Sequence, residues 1–171
     1  MNLKDKIRSI PDFPIKGVLF RDVTTLLKDK EGYHALIETI AESLRDRQVD
    51  LVVGPEARGF VIGAALAYAL NAGFVLARKP GKLPCETLRY EYGLEYGTDV
   101  LEIHKDAIQP GQKVVIVDDL LATGGTALAT IKLVEQAGGD VVGLRFAIEL
   151  SSEFDGRAPL AGYDVQSVLQ Y

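Results

Sequence analysis

The chain has 171 residues, with 19 lysines and arginines against 24 aspartates and glutamates, for a formal net charge of -5. That length suits one domain, and a chain of this size buries about 70% of its unfolded surface, enough for a single core. The negative charge excludes a protein that holds nucleic acid through its phosphates, and the longest apolar runs are too short to cross a bilayer, so neither nucleic acid nor membrane is an expected partner.

From the start, Met1 to Lys6 has no apolar stretch of the kind a signal peptide carries, so the expected location is cytoplasmic. Leu3 to Ile10 is predicted as a short helix ended by Pro11. Residues 11–22 read as a loop on account of Pro14 and Gly17, and there Phe20, beside Arg21, is ill placed for plain core filling. Glu31 to Arg47 carries Ala35, Leu36, Ile37, Ile40, Ala41 and Leu44 at helical spacing. Asp50 to Gly54 as strand, Gly59 to Leu70 as helix and Phe74 to Ala77 as strand make one βαβ unit. Lys113 to Val117, Gly125 to Ala137 and Asp140 to Ile148 make a second, its helix ended by Gly138-Gly139. Alternation of this kind predicts an α/β domain spanning residues 1–171, with a mainly parallel twisted sheet and helices on both faces.

Between the two units lies Lys79 to Asp99, interrupted by Pro80, Gly81, Pro84, Gly93 and Gly97. It is too long for a simple connection, and loops of that length in compact domains are usually lids or disordered. A flexible lid is expected here, although alternation of Tyr90, Tyr92, Leu94 and Tyr96 hints at a ribbon leading into Asp99 to Ile103. Cys85 lies in this stretch as an incidental thiol. Being the only cysteine, it excludes an internal disulfide and fits a reducing compartment.

The most informative segment is residues 114–127, Val-Val-Ile-Val-Asp-Asp-Leu-Leu-Ala-Thr-Gly-Gly-Thr-Ala. Four β-branched residues predict a strand buried on both faces, which puts Asp118 and Asp119 at its carboxyl end, where ligands lie in open α/β sheets. The Gly-rich turn into a helix start offers amides to a phosphate. Carboxylates aimed at phosphate would repel it, so a sugar must intervene. Asp118 and Asp119 then accept from ribose hydroxyls, while Thr123, Thr126 and the amides from Ala122 through Gly124 and Gly125 to Thr126 surround the 5′-phosphate. The competing reading is a strand followed by a helix capped by Asp119 or Thr123, but such a cap needs one acid, not two that repel each other. Gly54 to Gly59 has P-loop glycine spacing but lacks the following Lys and Ser or Thr, and no Gly-x-Gly-x-x-Gly follows a strand. His34 and His104 have no partner at metal-ligand spacing and read as structural or surface residues.

This segment resembles the 5-phosphoribosyl-1-pyrophosphate (PRPP) motif of the type I phosphoribosyltransferases, in the form carried by their adenine-using members. Asp12 to Asp22, Gly54 to Phe60 and Leu94 to Gly97 match that family in the same order. The resemblance implies Mg²⁺-dependent transfer of phosphoribosyl from PRPP to N9 of adenine, giving AMP and pyrophosphate, by a homodimer with the ion carried on PRPP rather than in a protein cage. It further implies that Glu56, Ala57 and Arg58, with a non-proline cis peptide between Glu56 and Ala57, hold pyrophosphate together with Arg78, Lys79 and Lys82. Phe20 would stack on adenine while backbone groups of Leu19 and Arg21 meet its edge. Glu95 would serve in proton transfer, with Tyr96 ordering the lid. A 6-oxopurine, xanthine or orotate enzyme, and a non-catalytic PRPP sensor, are the rival readings.

Overall fold

The computed structural model describes residues 1–94 and 97–171. Leu3–Lys6 forms one 3-10 turn, capped by the Asn2 side chain, and the chain then turns extended. Strand β1 (Arg8–Pro11) pairs antiparallel with β2 (Leu19–Asp22), Arg8 opposite Asp22 and Pro11 opposite Leu19. The helix expected over Leu3 to Ile10, and the loop expected around Phe20, are both corrected by this ribbon. The Arg8 amide donates to the Thr25 hydroxyl at 3.1 Å, and the Arg8 guanidinium closes the end of the ribbon on buried Asp22 at 2.6 Å.

A short helix α1 (Thr24–Leu27) precedes α2 (Lys30–Glu42), whose Asp29 cap accepts from the Gly32 amide at 2.7 Å. Helix α2 stops short of the expected Arg47. Leu44 turns into the core, and Arg45–Arg47 form a separate 3-10 turn in which Arg47 bonds the Val142 carbonyl and Asp164.

The remaining elements are β3 (Leu51–Pro55), α3 (Arg58–Ala69), β4 (Gly73–Ala77), the hairpin β5 (Thr87–Leu94) and β6 (Gly97–His104), β7 (Lys113–Leu121), α4 (Gly125–Gln136), β8 (Asp140–Glu149) and β9 (Val165–Gln170). Five of these strands form a wholly parallel sheet in the order β4-β3-β7-β8-β9. Neighbouring residues along its strands enter different cores. Val52, Val115 and Val117 pack with α2 and α3 on one face, while Val53, Val114 and Ile116 pack with α4 and the hairpin on the other. Among the described residues no helix is long and apolar enough to cross a membrane.

Two boundaries differ from expectation in ways that matter. Strand β7 runs past Val117 to Leu121, because β8 continues beside it with Asp118 opposite Phe146 and Leu121 opposite Glu149. Much of the expected lid, Lys79 to Asp99, is the antiparallel hairpin, with Tyr90 opposite Leu101 and Tyr92 opposite Asp99. That hairpin is anchored to the end of β4 by backbone bonds between Arg78 and Glu102, at 2.9 and 2.8 Å.

Candidate active site

Strand β3 ends beside β7, which runs on to Leu121, and beyond the end of β3 lies a cavity of about 330 Å³. The turn Pro55 to Arg58 forms one wall and Asp118 to Ala127 the other, with Lys79, Tyr92, Leu101 and Phe146 completing the lining. The two walls approach closely because Gly59 has no side chain. A Cβ there would stand 2.8 Å from Pro55 Cδ and 3.1 Å from an Asp118 carboxylate oxygen. The peptide between Glu56 and Ala57 is cis, as the resemblance implied.

The acid pair occupies the sixth and seventh of the nine positions of β7. Asp119 is 7% exposed and takes a hydrogen bond and ion pair from Arg58 Nε. Asp118 accepts the Asp119 amide at 2.8 Å. Burial, and next the Asp119 charge beside it, push the Asp118 carboxyl well above the ordinary carboxylate range. An acid so disfavoured as an anion gains most from a hydroxyl donor or a nearby positive charge.

Next comes the turn. Gly124, at φ 86°, is the N-cap of α4, and no side chain caps that helix. The alternative in which Asp119 or Thr123 caps the helix is therefore not what the chain does. The first-turn amides of a helix have no intrahelical partner, and Gly124, Gly125 and Thr126 line the cavity. Together with the positive end of the helix dipole they make a seat for an anion.

On the opposite side, Glu56 accepts the Lys79 amide at 2.7 Å and Arg78 Nε at 3.3 Å. Its carboxylate thus organises the cationic stretch, a role the sequence reading, which grouped it with direct pyrophosphate contacts, did not distinguish. Arg78 lies over the Phe60 ring, 5.8 Å from its centroid, and Lys79 pairs with Asp99. Of the three expected cations only Lys79 lines the cavity, and Lys82 is exposed outside it.

The segment expected to meet the base also lies outside that lining. Phe20 is half-buried, edge-on to Phe13 at 5.1 Å, and Arg21 lies 4.1 Å from the centroid of Tyr171 and donates to Ser9. Leu19 is 40% exposed and stands opposite Pro11 at the end of the ribbon. Glu95 and Tyr96 lie outside the described residues.

Three polar groups were not singled out from sequence. Tyr92 is 9% exposed, with its hydroxyl 3.2 Å from Asp99 and 3.5 Å from the Thr126 hydroxyl. Glu102 accepts the Gly81 amide at 3.0 Å and the Thr87 hydroxyl at 2.6 Å, fixing the turn that carries the cations. The tyrosine alternation was the available signal for Tyr92, but its face depends on hairpin register. Asp99 and Glu102 carry no local signal at all.

With this geometry, comparison with known proteins is specific. Residues 22–153 match the phosphoribosyl transferase domain family. An adenine phosphoribosyltransferase of Alkaliphilus metalliredigens is 60% identical over 171 residues, covering 100% of both chains. The crystal structure of the enzyme so named from Thermoanaerobacter pseudethanolicus superposes with a TM-score of 0.95 at 58% identity, covering 99% of this chain and 98% of that one. That from Saccharomyces cerevisiae, complexed with an imino-altritol bisphosphate and adenine, gives 0.91 at 39% identity, covering 96% of this chain and 95% of that one. An acid pair beside an uncapped Gly-Gly-Thr helix start, in a chain matched from end to end by such relatives, leads to one conclusion: the chain belongs to the type I phosphoribosyltransferases, among the adenine phosphoribosyltransferases of purine salvage.

Proposed function

We propose that the cavity binds PRPP and adenine and transfers the phosphoribosyl group to N9, releasing AMP and pyrophosphate. The observation that carries this reading is the placement of Asp118 and Asp119 beside the uncapped turn Ala122 to Thr126, with Arg58 across the same cavity. Asp118 and Asp119 accept the ribose hydroxyls, and the amides and hydroxyls of Ala122, Thr123, Gly124, Gly125 and Thr126 take the 5′-phosphate. Arg58, and Lys79 with its amide held by Glu56, take the pyrophosphate, while Arg78 and Lys82 contribute positive charge from outside the lining.

As the C1′–O bond breaks, its electron pair leaves with pyrophosphate and the ribose gains oxocarbenium character. That positive charge falls beside Asp118, whose carboxyl gains from it as an anion, so the acid pair stabilises the transition state more than the ground state. N9 then supplies the electron pair of the new bond. Glu95, by family resemblance, assists proton movement at the base near N7, with Tyr96 ordering the lid.

Adenine is the expected base. The yeast relative is complexed with it. The backbone on either side of Phe20 can accept from a 6-amino group and donate to N1, preferences that a 6-oxopurine reverses. Among the described residues no group of three or more carboxylate, imidazole or thiol side chains converges on a metal position. A cation with octahedral demands that keeps its waters fits this donor set only when it arrives on the donor's phosphates. Bound there, Mg²⁺ supplies charge neutralisation for the leaving pyrophosphate.

The active form is proposed to be a cytoplasmic homodimer. Val61 and Tyr68 on α3, 44% and 90% exposed, and Leu76 on edge strand β4, 40% exposed, form apolar surface suited to a second copy. The test is to supply PRPP and Mg²⁺ with adenine, hypoxanthine, guanine, xanthine or orotate in separate reactions. AMP from adenine, with little product from the others, is expected. Preferential use of a 6-oxopurine or orotate would overturn the assignment.

A further inference from the structure

Lys79 is the one cation of the 78–82 stretch that lines the cavity, and its ammonium is paired with Asp99 near the start of β6. Asp99 is itself tightly held. Its carboxylate takes the Tyr92 hydroxyl at 3.2 Å and the Val100 amide at 2.9 Å. Tyr92 stands 3.5 Å from the Thr126 hydroxyl, so a line of polar contacts crosses from Lys79 to the first turn of α4. The Lys79 bond, foremost, holds the Asp99 carboxyl below its ordinary range.

The two side chains are 41% and 29% exposed. Ion pairs in such settings are weak because water screens them and long side chains lose freedom. A diphosphate, carrying several charges, takes the ammonium from one carboxylate, yet each free molecule must first give up the pair. The affinity for the diphosphate is lowered by that amount.

We propose that Asp99 is a positioning residue that competes with the diphosphate for Lys79, holding the ammonium in the empty site and reclaiming it as pyrophosphate departs. Tyr92 keeps the carboxylate in place for that return. The inference rests on the assignment of the Lys79 side of the cavity to pyrophosphate.

Calorimetric titration with magnesium pyrophosphate, and separately with AMP, tests it on the full chain. Asp99→Asn is expected to bind pyrophosphate about two- to fivefold tighter than the parent, with product inhibition by pyrophosphate strengthened in step. AMP affinity should move less than about twofold, because AMP has no diphosphate. In a Lys79→Gln background the gain from Asp99→Asn should vanish, since the pair no longer exists to be broken. Asp99→Ser carries the same expectation if the asparagine variant unfolds. Unchanged or weaker pyrophosphate binding on loss of Asp99, or a gain that persists without Lys79, overturns the proposal. If the parent binds AMP but not pyrophosphate, the underlying site assignment fails. If it binds both and Asp99→Asn gains nothing, only the competition fails.

Discussion

The neighbouring glycines at the start of α4 should respond oppositely to a single methyl group. At Gly124 the backbone has φ 86°, and an added Cβ would collide with the Gly156 carbonyl oxygen and meet Pro159 Cγ at 2.7 Å. The left-handed conformation costs an L-residue about 1–2 kcal/mol, and overpacking against backbone typically adds about 1–3 kcal/mol. Gly124→Ala should therefore lose about 3 kcal/mol, which in a chain of this length lowers Tm by roughly 6–12 °C. At Gly125, the first residue of α4, a Cβ meets only the Tyr92 ring at 3.5 Å and the Thr123 hydroxyl at 3.8 Å, ordinary contacts. Alanine is the better helix former by up to about 1 kcal/mol, so Gly125→Ala should hold or slightly raise Tm. Thermal unfolding followed by circular dichroism, with KM for PRPP on both variants, makes the comparison. KM should rise in Gly124→Ala, because moving the turn displaces its amides. Equal losses at the two positions, or a loss under about 1 kcal/mol at Gly124, would refute the argument that this turn is shaped by close backbone approach.

Replacing Asp118 and Asp119 together by asparagine should preserve the circular dichroism spectrum and reduce kcat/KM at least about 10²–10³-fold, the scale of a lost electrostatic contact to developing charge. Near-normal AMP formation would sink the assigned roles. Asp22 is depressed to about 2, led by its hydrogen bond from Thr24, with Arg8 also contributing. Its folded-state value lies below the unfolded one, so its stabilisation is complete above about pH 4 and is lost as the pH falls toward 2. Denaturant titrations across that window should show about 1–2 kcal/mol attributable to this group, and Asp22→Asn should flatten that part of the profile. Arg145 is 1% exposed and its guanidinium bonds Ser43 and Asp164, tying α2 to the approach to β9. Arg145→Met should cost about 3 kcal/mol by equilibrium unfolding, since Asp164 keeps Arg47 and is only partly stranded.

The sheet was legible because parallel strands buried on both faces read as unbroken apolar runs. Leu51 to Val53 and Val114 to Val117 gave themselves away, and the two acids after the second run pointed to the ligand. What eluded sequence reading depended on partners distant in the chain. Nothing near Asp118 says that β7 continues to Leu121, since two carboxylates are poor strand formers and only β8 alongside explains the extension. Arg8 to Pro11 is similarly too short to announce a strand without Leu19 to Asp22 opposite it. Arg58 was singled out by resemblance, but its pairing with Asp119, 61 residues away, and the engagement of Glu56 with Lys79 needed the assembled turns. Cavity lining distinguishes Lys79 from Lys82, two identical side chains in one cationic cluster, and no local pattern could have separated them.

The adjacency of β3 and β7 carries a consequence for how the molecule matures. Val53 and Ile116 meet as parallel partners although 63 positions separate them in the chain. Such non-local pairing is slow to form, because loop closure precedes any reward. The wall bearing Arg58 and the wall bearing Asp118 come together only after it has formed, so partly folded chains lack a binding site. Donor substrate will consequently act as a selective clamp on the finished structure, adding roughly 2.7 kcal/mol at a concentration 100 times its Kd. A cell rich in PRPP would hold more of this protein folded at the same temperature.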